Sequence, residues 1–220
     1  MGDRQIIIDH NHSAYIRKRN MIGTARWNGA YYYSREITEF IIPNVKTDRN
    51  WITLNLKEEQ VGCDHAIFFV HNHPNCPEWY EWLKKYDDLI LVCCAEDDME
   101  KVAHLGAPIF LPLSVDVEYV KQFRCEKTRQ IAYAGRKPKR EDAPKNIDYI
   151  SGLPRTRFLK QLAKYEKVYA VDRAEIEAKI LGCEILRYSY KSVAPAEIID
   201  SREAAVMLQK LLDEIDRKEV

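Results

Sequence analysis

Two short histidine motifs carry the residues of this chain whose types and spacing most directly suggest acid–base chemistry. The tripeptide His-Asn-His occurs twice, from His10 to His12 and from His71 to His73, and each copy follows an apolar run typical of a strand. Histidine has an ordinary pKa of about 6.5, so one at a strand end can act as general base to a hydroxyl group. Asp9 can orient the first copy. We take His10, His12 and Asp9 as candidate catalytic residues and His71 and His73 as cleft candidates. The alternative for His71 and His73 is that they fill polar turns.

A second set of chemical groups lies in the segment KVYAVDRAEIEAKILGCEILR, residues 167 to 187. Asp172 and Glu175 have the spacing of a capping box, which predicts a helix that begins there, and Gly182 predicts its end. Glu177 is expected to lie off the apolar face of this helix. We predict that it points toward the crevice at the strand ends, where open α/β sheets bind ligands. The alternative is an ordinary solvated carboxylate.

Composition limits the functions that the chain can have. It has 220 residues, and 34 Lys and Arg residues balance 34 Asp and Glu residues. A net charge of zero gives no broad field for nucleic acid or an anionic membrane, so any anion site is local. No apolar run approaches the roughly 18 residues of a membrane span, and the N-terminus lacks an export signal. The scattered cysteines suit buried thiols in a reducing compartment. We therefore expect a cytoplasmic protein.

Apolar runs and amphipathic stretches alternate along the chain, which predicts an α/β fold built on open sheets. The predicted strands are 5–8, 51–56, 66–71, 89–94, 108–113, 130–134, 147–151, 167–171 and 184–187. The predicted helices are 31–42, 78–86, 97–105, 155–164, 174–181 and 202–217.

A change of composition divides the two series of strands. Between Lys121 and Arg140 there are eight basic residues and a single carboxylate, Glu126. We place a domain joint within residues 117–128. The sequence thus predicts an N-terminal α/β domain over residues 1–117 and a C-terminal α/β nucleotide-binding domain over residues 118–220.

The second series of elements resembles the donor-binding half of GT-B glycosyltransferases. The strand IAYAGR ends in Gly135-Arg136, a helix carrying LAKY follows, and EAKILGCEI, which begins at Glu177, is similar to the family motif EAMACGCPV. The segment LPLSVDVEYVKQF is similar to the family's interdomain crossover. The resemblance covers about residues 66 to 190. It implies two Rossmann-like domains that face each other across a cleft.

The resemblance also implies roles for individual residues. After Gly135, Arg136 and one of Lys137 or Lys139 would contact the pyrophosphate of a nucleotide-diphosphate sugar, and Glu177 would accept hydrogen bonds from the ribose hydroxyls. This fits the chemistry of the groups, because a guanidinium binds phosphate bidentately and a carboxylate accepts two hydroxyl donors. The implied activity is sugar transfer to an acceptor, without a cofactor or metal beyond the donor itself.

Three interpretations stay open. The first is a small glycosyltransferase; the style of the sequence resembles phage or prophage proteins, for which a modified DNA base is one conceivable acceptor. The second is a non-catalytic nucleotide-binding module, because Tyr169 stands where many retaining family members carry a glutamate that contacts the sugar. The third is a His/Asp metal-dependent phosphoesterase, because IIIDHNHSAY resembles the opening of the polymerase-and-histidinol-phosphatase group.

Overall fold

The fold is described from a computed structural model, which defines residues 6–8, 33, 36–53, 65–70, 81–135, 146–188 and 191–218. The strands are β1 Ile6–Ile8, β2 Asn50–Thr53, β3 His65–Val70, β4 Asp88–Cys93, β5 Ala107–Phe110, β6 Arg129–Ala134, β7 Asp148–Ile150, β8 Tyr165–Tyr169 and β9 Glu184–Leu186. The α-helices are α1 Glu96–Val102, α2 Val117–Lys121, α3 Arg155–Leu162, α4 Asp172–Ile180 and α5 Ser201–Lys218. Each predicted strand is confirmed to within a few residues over its described part.

Two predicted helices take other forms in their described parts. Ile37–Ile41 is a π-helix followed by a 3₁₀ turn over Ile42–Asn44, and Glu81–Lys85 is a 3₁₀ helix. Pro43 lacks a backbone donor, which favours the tighter turn at this point. The predicted α/β class is confirmed, because helices alternate with strands in two sheets of parallel strands.

The first sheet has five parallel strands in the order β1-β2-β3-β4-β5. Its centre consists of β3 and β4, in which every residue except the first is buried. Such unbroken apolar runs, here AIFFV and LILVC, are typical of strands covered on both faces. Chain order and spatial order coincide across these described strands, so the chain does not reverse direction within the sheet.

The C-terminal helix belongs to this first unit. The chain divides into two compact units, and the second is Leu113–Ser201 in its described part, while residues from Arg202 onward join the first. Gln209 exchanges hydrogen bonds with the backbone of Lys46, at 2.6 and 3.1 Å, and the Arg202 guanidinium lies 4.7 Å from the centre of the Phe40 ring. The apolar stripe of α5 is buried: Ala204, Ala205, Leu208 and Leu212.

This division differs from the predicted domains 1–117 and 118–220 in two respects. The boundary falls between Pro112 and Leu113, and α5 lies with the unit that precedes it in sequence. The basic stretch near the joint was visible in the composition. Composition does not indicate which sheet an amphipathic C-terminal helix will cover.

The second sheet has four parallel strands in the order β7-β6-β8-β9. Its first strand in sequence, β6, is therefore internal. The chain passes from β6 to β7 on one side and then returns across β6 to β8, after which α4 leads outward to β9. Helix α4 ends in a Schellman motif, in which the N–H groups of Gly182 and Cys183 donate to Lys179 O and Ala178 O. Gly182 has a φ of +78°, so it ends the helix as predicted.

Lys127 donates hydrogen bonds to backbone carbonyl groups at the carboxyl ends of two helices in this unit. Its Nζ donates to Ala163 O, just beyond α3, and to Leu181 O, just beyond α4, at 2.9 and 2.8 Å. It also lies 3.3 Å from the buried Cys183 Sγ. A cation there complements the negative ends of both helix dipoles.

A glycine in the first unit allows a prediction about stability. Gly106 lies directly before β5, and a Cβ at this position would lie 2.4 Å from Leu89 O in β4. Gly106→Ala must therefore move two packed backbones apart, and we expect it to lower the free energy of unfolding by about 2 kcal/mol. Thermal and denaturant unfolding measure this loss. Ala107→Ser, an exposed neighbouring position, is the control and should change stability by less than about 0.5 kcal/mol; equal stability of both variants would contradict the close approach.

Candidate functional site at the carboxyl edge of the second sheet

The order of the second sheet marks one edge as a place for a ligand. Because the chain leaves β6 in one direction for β7 and later returns to β8 on the other side, the connections after β6 and β8 diverge. In open parallel sheets, a crevice forms outside the carboxyl ends of the strands at such a reversal. Gly135 follows β6, and Asp172 begins the helix that follows β8.

Gly135 lies at this edge, as the sequence predicted. Its φ is +139°, a backbone angle that residues other than glycine rarely adopt. Its N–H donates to Ile150 O of β7 at 3.1 Å. The next predicted phosphate ligands, Arg136, Lys137 and Lys139, lie outside the described residues.

Asp172 has a different role from the predicted one. It has a φ of +53°, and the helix begins after Val171, with no side-chain cap. The backbone N–H of Asp172 donates to Ser192 Oγ at 2.7 Å, while its carboxylate accepts from the N–H of Val193 at 2.9 Å. The prediction of a capping box was therefore wrong, although the helix starts where it was expected. Asp172 instead holds the chain after β9 against the end of β8.

The pKa of the Asp172 carboxyl is raised. Burial is the main cause, and the charge of Glu175 adds to it, while the hydrogen bond from Val193 opposes it. An aspartate in the left-handed region with a partly buried carboxyl group is sterically and electrostatically costly, and such residues cluster at functional sites.

Glu177 is buried, with 2 % of its side chain exposed, so the alternative of a solvated carboxylate was wrong. Its Oε1 accepts from Arg155 Nη1 and, at 2.7 Å, from Arg173 Nε. Arg155 is the first residue of α3, just beyond β7, and Arg173 lies in the first turn of α4, just beyond β8. Glu177 therefore lies between the starts of two helices at the carboxyl edge of the sheet. In the described part of the chain, neither of its hydrogen bonds involves Oε2.

Sequence reasoning missed both arginines. Arg173 and Glu177 are four residues apart in one helix, a spacing that brings side chains together, so this partner could have been found. Arg155 is 22 residues from Glu177 in sequence, and only the tertiary fold brings them together.

Glu175 forms a second buried ion cluster on the same helix. Its carboxylate contacts Lys179 Nζ at 3.0 Å and Arg187 Nη1 at 2.8 Å. Burial raises the pKa of Glu175, but hydrogen bonds from Ser192, Lys179 and Arg187 and the charge of Lys179 outweigh it, so the pKa is lowered. This cluster fixes α4 against the residue that follows β9.

The predicted catalytic residues His10, His12 and Asp9 lie outside the described residues, as do the cleft candidates His71 and His73. Among the residues that are described, no group of three or more His, Cys, Asp or Glu side chains could hold a metal ion. The described helices include none that is long and apolar enough to cross a membrane. Tyr169 is the last residue of β8.

Comparisons of the chain with protein-family models, with curated proteins and with solved structures find no match. The function of this edge therefore has to be inferred from its own geometry and from the motifs of the sequence.

The Glu175 cluster predicts an acid dependence of stability. Because the folded-state pKa of Glu175 lies below its ordinary value of 4.5, its stabilisation is present above that pH and is lost as the pH falls through the folded-state pKa. Glu175→Gln should lower the free energy of unfolding by about 2 kcal/mol at pH 7. The difference from the wild type should shrink toward pH 3.

Denaturant unfolding at several pH values measures this effect. Glu166→Gln, at an exposed position of β8, is the matched control and should follow the wild type at every pH. A gap between wild type and Glu175→Gln that stays constant from pH 7 to pH 3 would contradict the assignment.

Proposed function

We propose that the second unit binds the nucleotide diphosphate of a nucleotide-sugar donor at its carboxyl edge, and that the protein transfers the sugar to an acceptor. One observation carries this proposal: Glu177, the residue that the GT-B-like motif assigns to the ribose, is a buried carboxylate fixed beside the reversal between β6 and β8. Arg155 and Arg173 both bind its Oε1. In this proposal the ribose hydroxyls would donate to Oε2, the oxygen to which neither arginine bond is made.

The phosphates have a matching set of donors in the sequence. Arg136, Lys137 and Lys139 follow Gly135, which has the backbone freedom to turn the chain at the end of β6. A guanidinium can bind two phosphate oxygens at once, whereas a lysine acts as a point charge. These residues would hold the diphosphate while Glu177 holds the ribose.

Sugar transfer also requires an acceptor site, and we assign it to the first unit. The resemblance of the sequence to GT-B glycosyltransferases implies an acceptor site on this unit, across a cleft from the donor site. His10 or His12 would remove the proton of the acceptor hydroxyl, with Asp9 as its orienting partner, and His71 and His73 would line the same cleft. Closure of the cleft would exclude water, so that the sugar passes to the acceptor and not to solvent. A modified DNA base is one acceptor of the required chemistry.

A non-catalytic nucleotide-binding module is the second candidate, and Tyr169 favours it. This residue ends β8 beside the proposed nucleotide site, in the position of the glutamate that contacts the donor sugar in many members of the resembled family. A tyrosine can accept and donate one hydrogen bond but carries no charge at neutral pH. The nucleotide would then be bound without activation of the sugar.

A ligand panel tests the proposal. UDP, GDP, ADP and CDP are added to the wild type, and the thermal midpoint and the calorimetric Kd are measured. At a free concentration 100 times its Kd, the nucleotide that the protein binds should stabilise the fold by about 2.7 kcal/mol. Glu177→Gln should weaken binding about ten-fold, because a hydrogen bond to a charged group is lost.

Two controls separate binding from folding. Glu177→Gln leaves Arg155 and Arg173 with a neutral partner and lowers stability, so each variant is compared with its own unliganded form. Glu184→Gln changes an exposed carboxylate that pairs with Lys167 at 2.9 Å and should bind like the wild type. Arg136→Ala is a second test, and it leaves Arg155, Arg173 and Glu177 themselves unchanged. Absence of any effect of the four nucleotides on the wild type would exclude the proposal, and binding without release of sugar from the matching nucleotide sugar would favour the non-catalytic module.

A further inference from the structure

Two free cysteines lie in the second unit, at the amino edge of its sheet. Cys125 is exposed and belongs to the segment between α2 and β6, where residues 124–128 have no regular secondary structure. Cys183 is buried and lies between the end of α4 and the start of β9. In a parallel sheet all strands begin at the same edge, so the residues that precede β6 and β9 lie on the same side of the unit.

The residues on either side of Cys125 bind the end of α4. Arg124 Nε donates to the carbonyl group of the last residue of this helix at 2.7 Å, and Lys127 Nζ donates to Leu181 O at 2.8 Å. Lys127 Nζ also lies 3.3 Å from Cys183 Sγ. These hydrogen bonds hold the short segment that contains Cys125 against the turn that contains Cys183.

The electrostatics of Cys183 show that the two thiols interact. Burial raises the pKa of the Cys183 thiol, and the charge of Cys125 adds to the increase, while the ammonium group of Lys127 opposes it. A thiolate, not a thiol, is the nucleophile in sulfur chemistry, and a neighbouring cation stabilises it. Cys125 is accessible to an oxidant in solvent, whereas Cys183 is shielded from solvent and has Lys127 beside its sulfur atom.

We propose that Cys125 and Cys183 form a reversible disulfide when the protein meets a peroxide, and that this bridge joins the segment before β6 to the end of α4. The thiolate of Cys125 attacks hydrogen peroxide, whose O–O bond breaks to give a sulfenic acid and water. The thiolate of Cys183 then attacks the Cys125 sulfur, the S–O bond breaks, and hydroxide leaves and becomes water with a proton. Two thiols and one peroxide thus yield one disulfide and two water molecules.

The cysteines of the first unit provide an internal comparison. Cys93 is buried in β4, and burial raises its pKa to about 12, so this thiol stays protonated at neutral pH. Cys94 follows it directly and is half-buried. Cys63 and Cys76 lie outside the described residues. We therefore expect peroxide to act first on Cys125 and not on Cys93.

The bridge would close a loop that contains β6, β7, α3, β8 and α4. A cross-link over a long loop restricts the unfolded chain more than it restricts the folded one, and so favours the folded state. The thermal midpoint of the second unit should rise by several degrees on oxidation, and dithiothreitol should reverse the change.

Peptide mapping tests the proposal. The full chain is treated with hydrogen peroxide, its free thiols are alkylated in denaturant, and a tryptic digest is analysed by mass spectrometry without reduction. Trypsin places Cys125 in the peptide CEK and Cys183 in ILGCEILR, so the bridge appears as a linked pair that dithiothreitol separates. Cys125→Ser, a change at an exposed position, should lose both this pair and the thermal shift. Cys94→Ser is the matched control and should keep both.

Three results would overturn the proposal. The first is a Cys125 that peroxide converts only to the sulfinic or sulfonic acid, with Cys183 recovered in alkylated form. The second is a Cys125 linked to a cysteine other than Cys183, in the same chain or in a second copy. The third is a linked pair that forms only when the protein is oxidised in denaturant. None of these results bears on nucleotide binding, which is measured separately, so this proposal and the proposed function stand or fall independently.

Discussion

The carboxyl edge of the second sheet depends on one buried carboxylate. Removing a charge from water costs several kcal/mol, and the cost is met only when the charge is paired with good geometry. Glu177 meets this condition through Arg155 and Arg173, which come from two different helices. The ion cluster therefore fixes the start of α3 relative to the start of α4. The connections from β7 to α3 and from β8 to α4 are thereby fixed at their helical ends, because each helix begins a few residues beyond the strand that it follows.

The fold was largely predictable because its strands are short apolar runs separated by amphipathic helices. The positions of β3 and β4 follow from AIFFV and LILVC alone, since continuous apolar runs of this length are typical of parallel strands. The order of the strands was not predictable. That β6 lies inside its sheet, and not at its edge, depends on packing between distant elements, and sequence periodicity does not report it.

The candidate site was predictable where local rules apply and not elsewhere. Gly135 and Gly182 were found because a glycine at the end of a strand or helix has few competing explanations. Asp172 has the sequence of a helix cap, but its carboxylate binds the N–H of Val193, a residue 21 positions away. A tertiary hydrogen bond replaces the local cap there, and pairing with Arg155 and Arg173 likewise rules out the alternative of a solvated Glu177.

Lys127 has a consequence for the way in which the second unit folds. It precedes β6 in the chain, yet the carbonyl groups that its amine binds belong to Ala163 and Leu181, at the ends of two helices made later. The amine group can make all of these hydrogen bonds only after both helices have docked. The contact therefore stabilises the completed unit and not a smaller part of it. Interactions of such long sequence separation slow folding and make it more cooperative. At the amino edge of this sheet, opposite the candidate site, Lys127 thus links the integrity of α3 to that of α4.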